Sequence, residues 1–268
     1  MATLAILACV CSAQMPHSGD SRIVARITPE HADLGLRQPV EALLTIRNVG
    51  SESASIDLGD DSEAGIALLV TMPDGTQGTH RIGHHGGTAW IGQKGIEAGK
   101  TYSQNLLLNR WVNFATQGTY RIWVNFDSLV VFADGSTHKL RPISLVINVG
   151  ERSDEALSRF CAERLNRLLG AQSYMEAFDS AQALRYVDDP IAVPYLQKAF
   201  ASPYPIQSAL VDGLARISTD GAIEALLTFH DQAPPAEAAY VGMVLKAAEG
   251  KVADPDLRSR IDSAVHEK

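Results

Sequence analysis

The sequence has few cysteines, no cluster of basic residues and no apolar run of the roughly 20 residues that a bilayer requires. Three cysteines in 268 residues argue against a disulfide-rich scaffold. The 23 Lys and Arg residues are outnumbered by 31 Asp and Glu residues, which disfavours nucleic acid as a partner. The phosphate-binding motifs G-x-x-x-x-G-K-S/T and G-x-G-x-x-G are also missing. These absences predict a chain without a membrane span and without a cofactor.

The chain opens with a short apolar segment, MATLAILACVCSAQ, that ends in small residues. This pattern is typical of a secretory signal peptide, and we predict that residues 1–13 are removed by cleavage after Ala13. No Lys or Arg precedes the apolar run, which departs from the usual signal pattern. A lipid anchor on Cys9 is the alternative, although Leu7 lies where a smaller residue is usual. The segment predicts a periplasmic or extracellular (secreted) protein.

Cleavage after Ala13 would leave Cys161 as the remaining cysteine. Cys161 lies in LSRFCAERLNRLL, where apolar residues recur at helical spacing. A reactive thiol needs a polarising neighbour, and none is evident nearby. We therefore predict a buried core cysteine.

Residues 21–150 consist of short apolar segments separated by Gly, Pro, Asn and Asp, which is typical of β-strands. The predicted strands are IVARITP, VEALLTIRNV, ASIDL, GIALLVTMP, YSQNLLL, GTYRIWVNF, SLVVFA and ISLVINV. Apolar and polar residues alternate in GTYRIWVNF, so one face of that strand is buried. About eight strands without an intervening helix predict an immunoglobulin-like antiparallel β-sandwich.

The segments VEALLTIRNVGSESASIDL and EAGKTYSQNLLLNRWVNFATQGTYRIWVNF resemble bacterial immunoglobulin-like domains. Such domains carry a polar N-x-G turn after the second strand and a G-x-Y corner late in the sheet. The resemblance covers about half of the chain and implies the fold. Domains of this kind serve adhesion, carbohydrate binding, inhibition and spacing, so it selects no single function.

Residues 153–268 are rich in Ala, Leu, Glu and Arg, and they predict helices joined by short links. Ser153 is a good N-cap for the first helix, because acidic residues follow it in the first turn. The predicted helices span 154–169, 173–187, 191–201, 205–217, 221–231, 235–248 and 254–266.

Two segments of this helical part, LRYVDDPIAVPYL and LARISTDGAIEAL, repeat one apolar pattern at a distance of 30 residues. Leu184 corresponds to Leu214, and Leu196 corresponds to Leu226. A repeat of this length predicts stacked helix pairs, that is, an α-solenoid, because each pair buries its apolar stripe against the next.

The stretch ALRYVDDPIAVPYLQKAF resembles short HEAT-like repeats of the phycobilisome-lyase-like type, which turn at D-P and continue with A-V-P-x-L. The matching residues are Asp189, Pro190, Ala192, Val193, Pro194 and Leu196. The next copy departs from this form, since Glu224 takes the place of the proline. The resemblance implies a HEAT-like repeat domain that binds proteins, and no bilin-attachment chemistry accompanies it.

The histidines of HRIGHHGG are candidate metal ligands, because imidazoles crowded in one loop suit Zn or Cu. These are His80, His84 and His85. No carboxylate or cysteine accompanies them at ligand spacing, so a polar hairpin loop is the alternative. The acidic segment DLGDDSE lacks the spacing of a calcium loop and predicts a solvated turn.

Three tyrosines near predicted turns, Tyr186, Tyr195 and Tyr204, are candidates for partner binding, since Tyr is enriched in interfaces. Semi-buried core tyrosine is the alternative. Residues 151–268 carry a net charge of −6 from 12 basic and 18 acidic residues, which favours a basic or neutral partner.

Together these patterns predict an exported, non-catalytic binding or scaffolding protein that recognises another protein through its helical repeats, its β-sandwich or both. An inhibitor or chaperone-like module that acts through the β-sandwich is one alternative. A metal-dependent enzyme that uses the His80, His84 and His85 loop is the other. The sequence leaves the partner and the oligomeric state open.

Overall fold

The computed structural model describes residues 22–31, 33–59, 63–82 and 92–266. Across these ranges the N-terminal part is built of β-strands and the C-terminal part of α-helices, as predicted. The strands are β1 (Ile23–Pro29), β2 (Asp33–Gly35), β3 (Glu41–Asn48), β4 (Ala54–Asp57), β5 (Ile66–Thr71), β6 (Gln77–Arg81), β7 (Gln93–Ile96), β8 (Thr101–Leu107), β9 (Gly118–Phe126), β10 (Leu129–Phe132), β11 (Thr137–Lys139) and β12 (Ile143–Gly150). All eight predicted strands are present; β2, β6, β7 and β11 are additional.

The strands form three sheets, with the orders β1-β3-β8, β11-β10-β4-β7 and β2-β12-β9-β5-β6. The prediction of a wholly antiparallel arrangement is wrong at one pair, because β2 runs parallel to β12. The chain leaves the first sheet after β1, adds β2 to the edge of the third sheet, and returns to the first sheet as β3. This crossing ties two sheets together.

The three sheets enclose one apolar core, to which β3 contributes Leu44, β4 contributes Ile56 and β5 contributes Leu68. The alternation predicted for β9 is confirmed, since every second residue from Tyr120 to Phe126 is buried and the residues between them are not. The Tyr120 hydroxyl donates a hydrogen bond of 2.9 Å to the carbonyl of Thr116. That bond fixes the corner at which β9 begins.

Seven α-helices follow within the described residues: α1 (Asp154–Leu169), α2 (Tyr174–Arg185), α3 (Val193–Ala199), α4 (Gln207–Ile217), α5 (Asp220–Gln232), α6 (Pro235–Glu249) and α7 (Pro255–His266). The Ser153 hydroxyl accepts a hydrogen bond from the amide of Ala156, which confirms its role as N-cap of α1. The helix predicted at 191–201 is instead a 3-10 turn, Pro190–Ala192, followed by the short α3. Pro190 and Pro194 each lack an amide donor and favour helix starts, which explains the division.

Each helix contacts the next one in the chain, and contacts also join α1 to α3, α3 to α5 and α5 to α7 on one side, and α2 to α4 and α4 to α6 on the other. The repeat anchors Leu184, Leu196, Leu214 and Leu226 are all fully buried in the core between these helices. The helices α2 and α4 approach closely at Gly213, where a Cβ atom would lie 3.1 Å from the Cα atom of Arg185. Across the described ranges, every helix is too short or too polar to cross a bilayer.

The β-sheet part and the helical part are joined by the three residues 151–153 and by two clusters of ion pairs. In the first cluster, the fully buried carboxylate of Asp189 accepts hydrogen bonds from Arg152 Nε at 2.5 Å and Nη2 at 3.0 Å. Arg37, from the turn after β2, contributes a contact of 3.3 Å to the same carboxylate. The acidic turn of the predicted repeat is thus an anchor for the β-sheet part.

The second cluster lies where α1 packs against the ends of β1 and β3. The buried guanidinium of Arg164 donates hydrogen bonds to Glu41 and, at 3.1 Å, to Glu30. The side chain of Arg164 is 10% exposed and that of Glu41 13%, so this contact is largely withdrawn from water. The two clusters together fix the β-sheet part against α1 and the turn before α3.

Candidate binding face of the helical part

The histidine loop falls mostly outside the described residues, which include His80 but neither His84 nor His85. His80 belongs to β6, and its Nε2 atom is buried without a hydrogen-bond partner. In the part of the chain that the structure describes, no three His, Cys, Asp or Glu side chains converge as a metal site. The metal-site hypothesis for this loop stays a prediction.

Two of the four acidic residues in the acidic segment are described, and both have structural roles. The Asp57 carboxylate accepts a hydrogen bond of 2.8 Å from the amide of Gly59 and so closes a turn. Glu63 is buried and forms an ion pair with Arg110. Asp60 and Asp61 lie outside the described residues.

Cys161 is fully buried in the helical core, in agreement with the prediction from its helical face. Burial, assisted by the negative charge of Asp189, raises the pKa of the Cys161 thiol to about 12. The thiol is therefore protonated near neutral pH, and the thiolate required of a nucleophile does not form there.

The three candidate tyrosines do not lie together. Tyr204 donates a hydrogen bond of 3.3 Å to the carbonyl of Ala171, which precedes α2, whereas Tyr186 follows the last residue of α2. The 12 residues of α2 separate these positions by about 18 Å. Tyr195 and Tyr204 pack partly buried against the helical core. Tyr186, unlike the other two, is not one of the residues packed against that core.

The Tyr186 ring is close to two guanidinium groups. The Cζ atom of Arg216 is 4.9 Å from the centre of the Tyr186 ring, and that of Arg185 is 5.5 Å from it. Both distances are within the range of cation–π attraction. Arg216 is exposed and Tyr186 is half-buried, so one aromatic face and one charged group are presented to solvent together.

A polar ladder continues from this position across α2, α4 and α6. Arg185 forms an ion pair of 2.7 Å with Asp212, and the Tyr240 hydroxyl donates a hydrogen bond of 2.5 Å to the same carboxylate. Burial is the main cause that raises the pKa of Tyr240 to about 12, and Asp212 adds to it. The phenol therefore remains a donor at neutral pH and holds α6 to α4.

Sequence reasoning named Tyr186 but missed Arg216, Asp212 and Tyr240. A usable signal was present, because Tyr186 and Arg216 are 30 residues apart, which is the repeat distance. Equivalent positions of successive helix pairs become neighbours when the pairs stack. Asp212 and Tyr240 are not at equivalent positions, so only the structure reveals their contact.

A groove of about 800 Å³ lies at the other end of the helical part, between α5, α6 and α7. Small and apolar residues form most of its walls, among them Ala239, Gly242 and Val265. His230 lines it but is only 3% exposed and contacts Asp231 at 3.3 Å. Met243, 67% exposed, lies at the same groove.

Neither a protein-family model nor a curated protein matches this sequence. Among solved structures, similarity extends to the Northeast Structural Genomics Consortium target SoR45, with 12% identity over 49% of this chain and 90% of that one, at a TM-score of 0.32. The CARDB domain of the PF1109 protein from Pyrococcus furiosus, solved in complex with di-metal ions, has 11% identity over 48% of this chain and 94% of that one, at a TM-score of 0.29. A PapD-like domain of human CEP192 has 10% identity over 57% of this chain and 99% of that one, at a TM-score of 0.30. Similarities of this size do not establish a shared fold.

Proposed function

We propose that this chain is an exported, non-catalytic binding protein that recognises another protein through the face formed by α2, α4 and α6. The observation that carries the proposal is the contact of Tyr186 with Arg185 and with Arg216, which takes the matching position in the next helix pair. Tyr and Arg are the residue types that most often dominate binding energy at protein interfaces. The apolar segment MATLAILACVCSA supports export.

The proposal assigns an immunoglobulin-like character to the β-sheet part. The bond from Tyr120 to Thr116 supports it, because immunoglobulin-like sandwiches carry such a tyrosine at the corner before a late strand. Antiparallel pairing of β1 with β3 and of β9 with both β5 and β12 is also compatible with a sandwich.

The proposal also assigns a HEAT-like stack to the helical part. Two alternating rows, α1-α3-α5-α7 and α2-α4-α6, and the burial of equivalent leucines support this assignment. In such a stack one row forms a continuous face. Here the Asp212 ladder holds the α2-α4-α6 row rigid, which lowers the entropy lost when a partner binds.

Site-specific photocrosslinking in the organism that encodes the chain tests this function. A benzophenone amino acid replaces Tyr186 in one strain and Tyr195 in another; Tyr195 belongs to α3 in the opposite row. We expect a discrete crosslinked protein from position 186 alone, and its loss when Arg216→Ala is added. Equal crosslinking from both positions, or none from position 186, would contradict the proposal.

A third strain distinguishes the alternative in which the β-sheet part binds the partner. β6 is an edge strand of the third sheet, and Thr79 on it is exposed. Crosslinking from position 79 instead of 186 would assign binding to that edge, by addition of a strand.

A further inference from the structure

The cluster around Arg164 contains more carboxylates than guanidinium groups. Glu41 begins β3 and Glu30 follows β1, and both contact Arg164 on α1. Arg167, also on α1, and Asp179 on α2 are the other charged groups that act on this cluster. Arg167 and Asp179 are exposed and the Glu30 side chain is 39% exposed, so Arg164 and Glu41 are the buried members of the cluster. Two carboxylates thus meet on one buried guanidinium. Ionisation of Glu41 in this largely dry contact is costly, and a bound proton removes that cost.

Glu30 and Glu41 meet at this guanidinium. Both carboxylates contact the same Nη2 atom of Arg164, and the amide of Glu30 donates a hydrogen bond of 2.9 Å to the carbonyl of Glu41. Two negative charges held on one nitrogen atom repel each other, and a proton on Glu41, the more buried of the two, removes that repulsion.

We propose that docking of the β-sheet part on α1 is linked to protonation, so that a proton on Glu41 tightens the interface and its loss loosens it. Through the contacts of Glu30 and Glu41 with Arg164, charged groups join α1 to the ends of β1 and β3. Arg152 lowers the pKa of Asp189, so that carboxylate stays ionised near neutral pH and its cluster holds while the Glu41 contact changes.

The direction of the effect follows from Glu41. Burial is the largest influence and raises the pKa of Glu41 from 4.5 to about 7, with Arg164 opposing and Glu30 reinforcing the rise. The docked state therefore binds more protons than a state in which water reaches Glu41. Docking is strongest at low pH and weakens as pH rises through 7. Between pH 5.5 and 8.5 the docking equilibrium changes on the order of tenfold.

Distance measurement by electron spin resonance tests the proposal in the full chain. Lys139 in the β-sheet part and Lys198 in the helical part, both exposed, are each replaced by a cysteine that carries a nitroxide label. Cys9 and Cys11 are changed to serine so that they are not labelled. We expect one narrow distance distribution at pH 5.5 and a second, broader population at pH 8.5. Glu41→Gln should give the narrow distribution at both pH values, because the amide mimics the protonated acid.

The matched control is His31→Gln. His31 follows Glu30 in the sequence and lines the neighbouring cleft with Arg159 and Glu163. This variant should respond to pH as the native protein does. The proposal is overturned if the distance distribution of the native protein does not change with pH. It is also overturned if the pH-dependent change persists in Glu41→Gln or disappears in His31→Gln.

Denaturation midpoints in guanidinium chloride provide a second measurement that also reports whether each variant folds. The midpoint of Glu41→Gln relative to the native protein should rise more at pH 8.5 than at pH 5.5. Glu30→Gln, which removes the other member of the pair, should change the midpoint in the same direction. Equal shifts at both pH values show that no proton is linked to the interface.

Discussion

The two ion-pair clusters between the β-sheet part and the helical part have opposite ratios of carboxylate to guanidinium groups. At Asp189 one buried carboxylate receives hydrogen bonds or contacts from two guanidinium groups, those of Arg152 and Arg37. At Arg164 one guanidinium receives two carboxylates. Arg152 is the main cause that lowers the pKa of Asp189, whereas burial raises that of Glu41. The same residue types thus produce one contact that is insensitive to pH near neutrality and one that responds to it.

The largest expected effect comes from loss of the Asp189 carboxylate. Asp189→Ala removes the acceptor that Arg152 and Arg37 share, although Arg152 keeps its ion pair with Asp154, and leaves the amide of Ile191 without its cap. We expect about 3 kcal/mol less free energy of unfolding, from the lost charged hydrogen bonds and the lost cap, because the remaining guanidinium groups are partly exposed and stay hydrated. Urea denaturation at pH 7 measures it. Asp188→Ala, at the exposed neighbour, should cost under about 0.5 kcal/mol; equal costs would remove the anchor role of Asp189.

Loss of Arg164 should cost less, and its cost should depend on pH. Arg164→Met keeps the apolar stem but leaves Glu30 and Glu41 without a cation. We expect a loss of about 2 kcal/mol at pH 8, where Glu41 ionises, and a smaller loss at pH 5.5, where Glu41 stays protonated. The comparison uses denaturation at both pH values. A loss that is greater at pH 5.5 would reverse the assigned sign.

Acid should remove the contribution of Asp189 and leave that of Glu41. A carboxylate with a lowered folded-state pKa contributes stability above its ordinary pKa of 3.8, and this stability is lost as pH falls through the folded-state value. The difference in unfolding free energy between the native protein and Asp189→Asn should therefore be constant from pH 8 to 5 and shrink below pH 4. A difference that is unchanged at pH 2.5 would show that the carboxylate acts without its charge.

The smallest effect is expected at Arg37. Its side chain is 46% exposed and its contact with Asp189 measures 3.3 Å, while Arg152 already holds the carboxylate with two shorter bonds. Arg37→Ala should cost about 0.2–1 kcal/mol, and salt should reduce that cost. Denaturation at low salt and at about 0.5 M salt measures the cost and its dependence on salt. A cost near that of Asp189→Ala would make Arg37 an equal partner of Arg152.

Residues close in sequence could be predicted, and residues brought together over long distances could not. The bounds of α1 and the alternating burial of β9 follow from a cap and from apolar periodicity. β2 and β11, by contrast, have three residues each and no apolar pattern. The contact of Arg164 with Glu41 spans 123 residues and that of Arg37 with Asp189 spans 152. No local pattern specifies such pairs.

The candidate binding face was predictable only at its first residue. Tyr186 was identified as a tyrosine near a turn, and the 30-residue repeat places Arg216 beside it. The remaining contacts depend on the rotation of each helix in the stack. That rotation is set by close packing, such as the approach of α2 to α4 at Gly213.

The short connection from β12 to α1 limits what opening of the interface can mean. Three residues reach at most about 10 Å, so the β-sheet part and α1 stay tethered even with both clusters broken. The two surfaces then face each other at an effective concentration in the millimolar range, and reclosure is intramolecular. The open fraction should accordingly be independent of dilution, which distinguishes such opening from the dissociation of two molecules.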